Sequence, residues 1–129
     1  MAEARPPLII ICGPTVAGKS DVALNLAEKL GGEIINADSL ALYRGFDIGT
    51  AKPGPEDLAR VAHHLIDVLD PDEDFDAAAY LRLARPIVTK LGRSQKAALA
   101  VGGTGVYLRA LCQGIFEGPG RDEAFRARL

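Results

Sequence analysis

The octet Gly13-Pro14-Thr15-Val16-Ala17-Gly18-Lys19-Ser20 fits the pattern G-x-x-x-x-G-K-[ST]. Glycines in such a loop let backbone N–H groups converge on phosphate oxygens, and a helix opening behind them adds partial positive charge. Lys19 supplies a full positive charge, and the Ser20 hydroxyl can join the shell of a Mg²⁺ ion. A loop of this kind grips a di- or triphosphate. The motif alone does not say whether the ligand is a nucleotide.

Two other segments carry residues suited to the same chemistry. Asp38 closes the apolar stretch Glu33-Ile34-Ile35-Asn36-Ala37. A carboxylate at that edge would face the phosphate loop, where it could take a proton from an incoming nucleophile. An Asp capping a short helix fits the same local sequence. Gly102-Gly103-Thr104-Gly105 is a second small-residue turn, able to aim N–H donors and the Thr104 hydroxyl at that edge. A GGTG is weak evidence alone; across one sheet from the phosphate loop, it describes a site enclosing a diphosphate from two sides.

Other polar clusters are less informative. A P-loop kinase or ATPase usually adds an apolar strand ending in an acidic Mg²⁺ ligand. Asp67 would lie inside the strand that carries it, and Asp70 closes that strand better but belongs to an acidic run with Asp72, Glu73, Asp74 and Asp76. That run reads as a solvated loop or as negative charge at a helix N-terminus. His63-His64 has no metal-ligand spacing around it and reads as structural.

The elements that must position these groups alternate. Leu8 to Cys12 is a β-branched run suited to a strand buried on both faces. Lys19 to Leu30 has helical periodicity, ended by Gly31-Gly32, with Val22, Leu26 and Leu30 expected in the core. Strands are expected over 33–37, 64–69 and 97–101. Helices are expected at Pro55 to Ala62, at Asp76 to Leu91 with Asp74 or Asp76 as cap, and at Val106 to Leu111, with Val106 and Leu111 in the core. Pro86 should kink or split the second of these. Such alternation predicts right-handed crossovers and an α/β parallel sheet with helices on both faces, its ligand site beyond the carboxyl ends of the strands.

The chain has 129 residues, 48% hydrophobic and 25% charged, with a net charge of −2. That is ordinary globular composition and argues against a free-standing, strongly basic nucleic-acid module. The longest apolar run, Leu8 to Cys12, is too short to span a bilayer, and no secretory pattern precedes it. Cys12 and Cys112 lie far apart in sequence and read as reduced, mostly buried thiols, with the cytoplasm as the expected location.

Four segments in order, GPTVAGKS at 13–20, EIINADSLALYRGFDIGTAKP at 33–53, HHLIDVLDP at 63–71 and VGGTGVYLRAL at 101–111, together resemble the N-terminal part of the tRNA dimethylallyltransferase (tRNA isopentenyltransferase) family. The resemblance covers nearly the whole chain, and DIGTAKP and HHLID are not generic to P-loop proteins. Two departures are mild: Thr-Val-Ala stands in the loop where Thr-Ala-Ser is more usual, and Ala41 stands where many members have Gln.

The resemblance implies a P-loop NTPase-like fold, incomplete at its C-terminus, with residues 1–129 the N-terminal part of a catalytic domain. It implies a loop holding dimethylallyl diphosphate, with Lys19 and Mg²⁺ at Ser20 stabilising the departing diphosphate. On the same resemblance the acceptor would be the N6 amine of an adenosine next to the tRNA anticodon, with Asp38 taking the proton and Thr104 lining the channel. The resemblance also implies that Ser39, Leu40 and Ala41 with Asp38 contact the target adenosine. Arg126, in a segment that looks helical at Arg128-Leu129, aligns with a family position that touches tRNA and the active site. A monomer, outside any membrane, is expected. These residues alone, without the helical insertion that holds the anticodon stem-loop, should bind diphosphate weakly and transfer little. A small-molecule P-loop kinase using ATP and Mg²⁺, or a P-loop fragment kept only for binding, are the alternatives.

Overall fold

The computed structural model describes residues 8–13, 18–45, 52–115 and 124–128. Five strands form one parallel sheet in the order β3-β2-β4-β1-β5. They are β1 (Leu8–Cys12), β2 (Glu33–Asn36), β3 (His63–His64), β4 (Ala98–Gly102) and β5 (Ala124–Arg128). The helices are α1 (Lys19–Leu30), α2 (Ser39–Leu42), α3 (Pro55–Arg60), α4 (Ala77–Arg93) and α5 (Gly105–Ile115). The chain thus has the expected α/β architecture, with helices on both faces of the sheet.

Alternation along the strands divides the core in two. Leu8 and Ile10 of β1, Ile35 of β2, and Ala98 and Ala100 of β4 pack beneath α4 and α5 with Tyr80, Ala84, Leu91, Tyr107, Leu108 and Leu111. Ile9, Ile11, Ile34 and Leu99 face the other way and meet Ala23, Leu24 and Ala27 of α1. Ala23, Leu24 and Ala27 make the inner face of α1, with Leu26 packed partly against it. Val22 and Leu30 are exposed, as is Val106 on α5, so three of the residues expected in the core lie outside it. Leu111 is fully buried.

Two other expectations change, and of the two alternatives at Pro86 one falls away. The strand expected over 64–69 ends at His64, and Leu65 and Asp67 adopt left-handed backbone with φ of 65° and 56°. The chain bends there because α2 needs partners for its last carbonyls. The Asp67 N–H donates to the Ala41 carbonyl at 3.1 Å, and those of Val68 and Leu69 donate to Leu42 at 2.8 and 2.9 Å. Pro86 does not split α4, which runs unbroken through it. Arg82, whose carbonyl loses its intrahelical donor, is on the exposed side, where water can replace it. The segment containing Arg126 is a strand, not a helix: β5 pairs in parallel with β1 from Leu8↔Ala124 to Cys12↔Arg128. That pairing covers an edge that would otherwise present unpaired N–H and C=O groups beside a deeply apolar strand.

Neither Cys12 nor Cys112 is in a disulfide. Among the described residues no helix is long and apolar enough to cross a membrane.

Candidate active site

The carboxyl ends of β1, β2 and β4 converge on one edge. β1 ends at Cys12, and α1 opens at Lys19 behind Gly18, whose φ of +75° suits glycine far better than other residues. The first helical bond runs from the Val22 N–H to the Gly18 carbonyl at 3.2 Å. Gly13, Gly18 and Ser20 are thus placed at this edge. Pro14, Thr15, Val16, Ala17 and the Lys19 side chain lie outside the described residues.

β2 and β4 are joined past their last ladder bond by side chains. The Asp38 carboxylate accepts the Gly103 N–H at 2.5 Å. The Thr104 hydroxyl oxygen accepts the Ser39 N–H at 3.0 Å, and the Thr104 N–H donates back to the Ala37 carbonyl at 3.2 Å. Asp38 is therefore both the backbone N-cap of α2 and a side-chain partner of the GGTG turn. Its side chain makes no capping hydrogen bond to α2.

Asn36 fixes Asp38 from below. Among the described residues it is the buried polar one, 7% exposed. Its Oδ1 accepts the Asp38 N–H, while its Nδ2 donates to the carbonyls of Asp38 and Leu65, all at 3.0 Å. The Tyr80 hydroxyl donates to the Asn36 carbonyl at 3.0 Å. Burial pushes the Tyr80 phenol far above its ordinary pKa, with the neighbouring Tyr107 and Asp38 adding to the shift, so it stays a neutral donor. Tyr107 stacks on Tyr80 with ring centres 4.7 Å apart, and Phe75 meets Tyr107 edge-on.

Ser20, Asn36 and Asp38 line one narrow cleft of about 40 Å³. Asp57 of α3 and His63 of β3 line it too, although neither stood out in the sequence as a cleft residue. An acidic residue three positions into a Pro-started helix gives no local sign that its helix will be carried to this edge. Leu40 is exposed beside the cleft, while Ala41 is 2% exposed and turned into the core. Arg126 pairs through its backbone with Ile10, in the middle of β1 rather than at its carboxyl end.

Several other acidic and histidine residues are held by structural contacts. Asp67 pairs with Lys52, and Asp70 with Arg44. Asp76 caps α4 through the Ala79 N–H. His64 meets Glu33, and the His63 ring nitrogen meets the Val61 carbonyl. Among the described residues no three His, Cys, Asp or Glu side chains cluster as a metal site.

The model of the family described as IPP transferase matches residues 41–129. The tRNA dimethylallyltransferase 2 of Syntrophus aciditrophicus is 51% identical over 95% of this chain and 39% of its own length. The tRNA dimethylallyltransferase of Geobacter sulfurreducens is 50% identical over 99% of this chain and 41% of its own. The crystal structure of the tRNA isopentenylpyrophosphate transferase of Bacillus halodurans superposes with a TM-score of 0.81 at 41% identity, over 92% of this chain and 39% of that one. The chain therefore spans about two fifths of the length of these relatives. With a parallel sheet whose strand ends carry the phosphate-loop motif, Asp38 and the GGTG turn, the chain belongs to the IPP transferase family.

Proposed function

We propose that this chain supplies the diphosphate-binding and proton-accepting part of a tRNA prenyltransferase. The observation that carries the reading is that the Ser20 hydroxyl position and the Asp38 carboxylate line one cleft behind a G-x-x-x-x-G-K-S loop. The donor is dimethylallyl diphosphate, and the acceptor is the N6 amine of an adenosine beside the anticodon. N6 attacks the allylic carbon C1, the C1–O bond to diphosphate breaks, and the N6 proton passes to Asp38. Gly103 holds the carboxylate at the cleft through its N–H. Lys19 and the loop N–H groups take up the negative charge that gathers on the departing diphosphate. Thr104 lines the channel, with Ser39 and Leu40 toward the adenosine, while Ala41 is buried and its carbonyl is taken by the Asp67 N–H.

The cleft's oxygen donors, Ser20, Asp38 and Asp57, are of the hard type that suits Mg²⁺. Ser20 would hold the ion together with diphosphate oxygens, and the ion when bound supplies electrostatic stabilisation of the leaving group. The protein acts in the cytoplasm as a monomer on the anticodon stem-loop.

The test is prenyl transfer to an anticodon stem-loop RNA from dimethylallyl diphosphate and Mg²⁺ by the protein that carries this chain, followed by mass spectrometry of the nucleosides. N6-dimethylallyl adenosine is the expected product. ATP hydrolysis or phosphoryl transfer, with no prenyl transfer, would overturn the reading in favour of a small-molecule kinase.

A further inference from the structure

The net charge of −2 conceals a sharp separation along the chain. Residues 54–76 hold eight Asp and Glu against the single cation Arg60. Residues 77–116 hold no Asp or Glu at all, and six cations: Arg82, Arg85, Lys90, Arg93, Lys96 and Arg109. Four of these six, Arg82, Arg85, Lys90 and Arg93, rim one groove of about 480 Å³ on the outer side of α4, floored by Leu81, Pro86 and Thr89. At ~3.6 residues per turn their spacing of three, five and three residues keeps them within an arc of about 140° and spreads them over about 16 Å at ~1.5 Å per residue.

These four, like the isolated Lys29 and Arg109, have no carboxylate partner among the described residues, and they alone are gathered along one groove. Arg44 pairs with Asp70, Lys52 with Asp67, Arg60 with Glu28, and Lys96 with Glu33. The groove cations are all exposed. A row of unneutralised cations on one rigid helix favours a polyanion with regularly spaced charges. Three of the four are arginines, whose planar fork matches phosphate oxygens two at a time. A membrane surface fits less well, because the buried Tyr80, Ala84 and Leu91 of α4 are already used against the sheet, and no aromatic side chain lines the groove to enter a bilayer. The strip also has a direction. Tyr80 reaches Asn36 beneath the candidate active site, Arg82 follows within the same turn, and Arg93 lies farthest along the helix from that edge.

We infer that the outer face of α4 is a docking strip for the phosphodiester backbone of RNA, taking the stem that leads away from a nucleotide held in the cleft. The identity of the polyanion as RNA rests on the proposed tRNA acceptor. The strip itself rests on the charge pattern of α4. Its contacts are sequence-independent, so it sets affinity and orientation while the cleft selects the base.

The experiment is fluorescence anisotropy of this chain with a labelled RNA hairpin that lacks adenosine, without any prenyl diphosphate, from 50 to 200 mM salt. Binding is expected with a steep salt dependence. The R82Q/R85Q/K90Q/R93Q variant should bind about tenfold or more weakly at the low-salt end, with a log–log slope shallower by about 3. Lys96→Gln, which removes one paired cation, should change affinity by no more than about twofold. Far-UV circular dichroism checks that the quadruple variant is folded; if it is not, Arg85→Gln alone should reduce the slope by about 1. An unchanged slope in the folded variants overturns the inference. So does a groove-dependent affinity for phosphatidylserine vesicles or polyglutamate with none for RNA. Because the probe has no acceptor adenosine, loss of prenyl transfer and loss of RNA docking are separate outcomes.

Discussion

The Thr104 hydroxyl oxygen accepts the Ser39 N–H at 3.0 Å, joining the first turn of α2 to the turn that follows β4. The Thr104 N–H returns to Ala37 at 3.2 Å, so one residue satisfies backbone groups on both sides of Asp38. Thr104→Val keeps the shape but leaves the Ser39 N–H without its acceptor. Urea unfolding should show a loss of about 1–2 kcal/mol. Prenyl transfer should fall as well, because Asp38 loses a neighbouring restraint. Thr104→Ser restores the oxygen and should recover most of both.

Asp38→Asn separates chemistry from architecture. The Asn oxygen can still accept the Gly103 N–H, so the turn after β4 should keep its place. The substituted side chain has no carboxylate to take the N6 proton. Turnover should drop by about 10²-fold or more, while affinity for dimethylallyl diphosphate stays near that of the wild type. Equal turnover of the two proteins would remove Asp38 as the base.

Gly102 is where backbone approaches backbone most closely at this edge. A Cβ there would overlap the Ala37 carbonyl and lie 2.7 Å from the Asp38 nitrogen. Neither group can retreat without breaking the ladder between β2 and β4. Gly102→Ala should therefore cost about 1–3 kcal/mol and displace Asp38 from the cleft, lowering turnover beyond the stability loss. Gly92, inside α4, has open space around it. Gly92→Ala should stabilise the protein by about 0.5–1 kcal/mol with turnover unchanged. Thermal unfolding and kinetics on both variants check the contrast.

What could be read from the sequence follows how local each cause is. The β-branched run of β1, the G-K-S start of α1 and the Gly31 stop are set by neighbouring residues, and they fall where expected. Asp38 and Thr104 could be placed at strand ends for the same reason. The bend at Leu65 could not, because its cause is the pair of α2 carbonyls that Asp67, Val68 and Leu69 satisfy from across the chain. Asn36 looked like one more strand residue, since its amide partners, the Asp38 backbone and the Leu65 carbonyl, meet only in the fold. The burial of α1 misled for a related reason. Periodicity in Val22, Leu26 and Leu30 marks an apolar stripe, but the fold turns α1 so that Ala23, Leu24 and Ala27 are buried, Leu26 is packed at their margin, and Val22 and Leu30 are exposed.

Glu33 makes the acid limb of stability testable. Burial alone would raise its carboxyl pKa, but hydrogen bonds from His64 and Lys96, with their positive charge, outweigh this and hold it below the ordinary value. The folded state then binds that proton less readily than the unfolded chain. Its stabilisation is present above the unfolded glutamate pKa of about 4.3 and is lost as pH falls through the lower folded value. Glu33→Gln removes the carboxylate while keeping the side chain's size. The melting-temperature gap between wild type and variant should be widest above about pH 5 and close below the usual carboxylate range. Lys96→Gln removes one of the two partners at 3.0 Å and should narrow the gap without abolishing it, since His64 remains at 2.7 Å. A gap that stays constant from neutral to strongly acidic pH would mean that Glu33 acts through packing rather than charge.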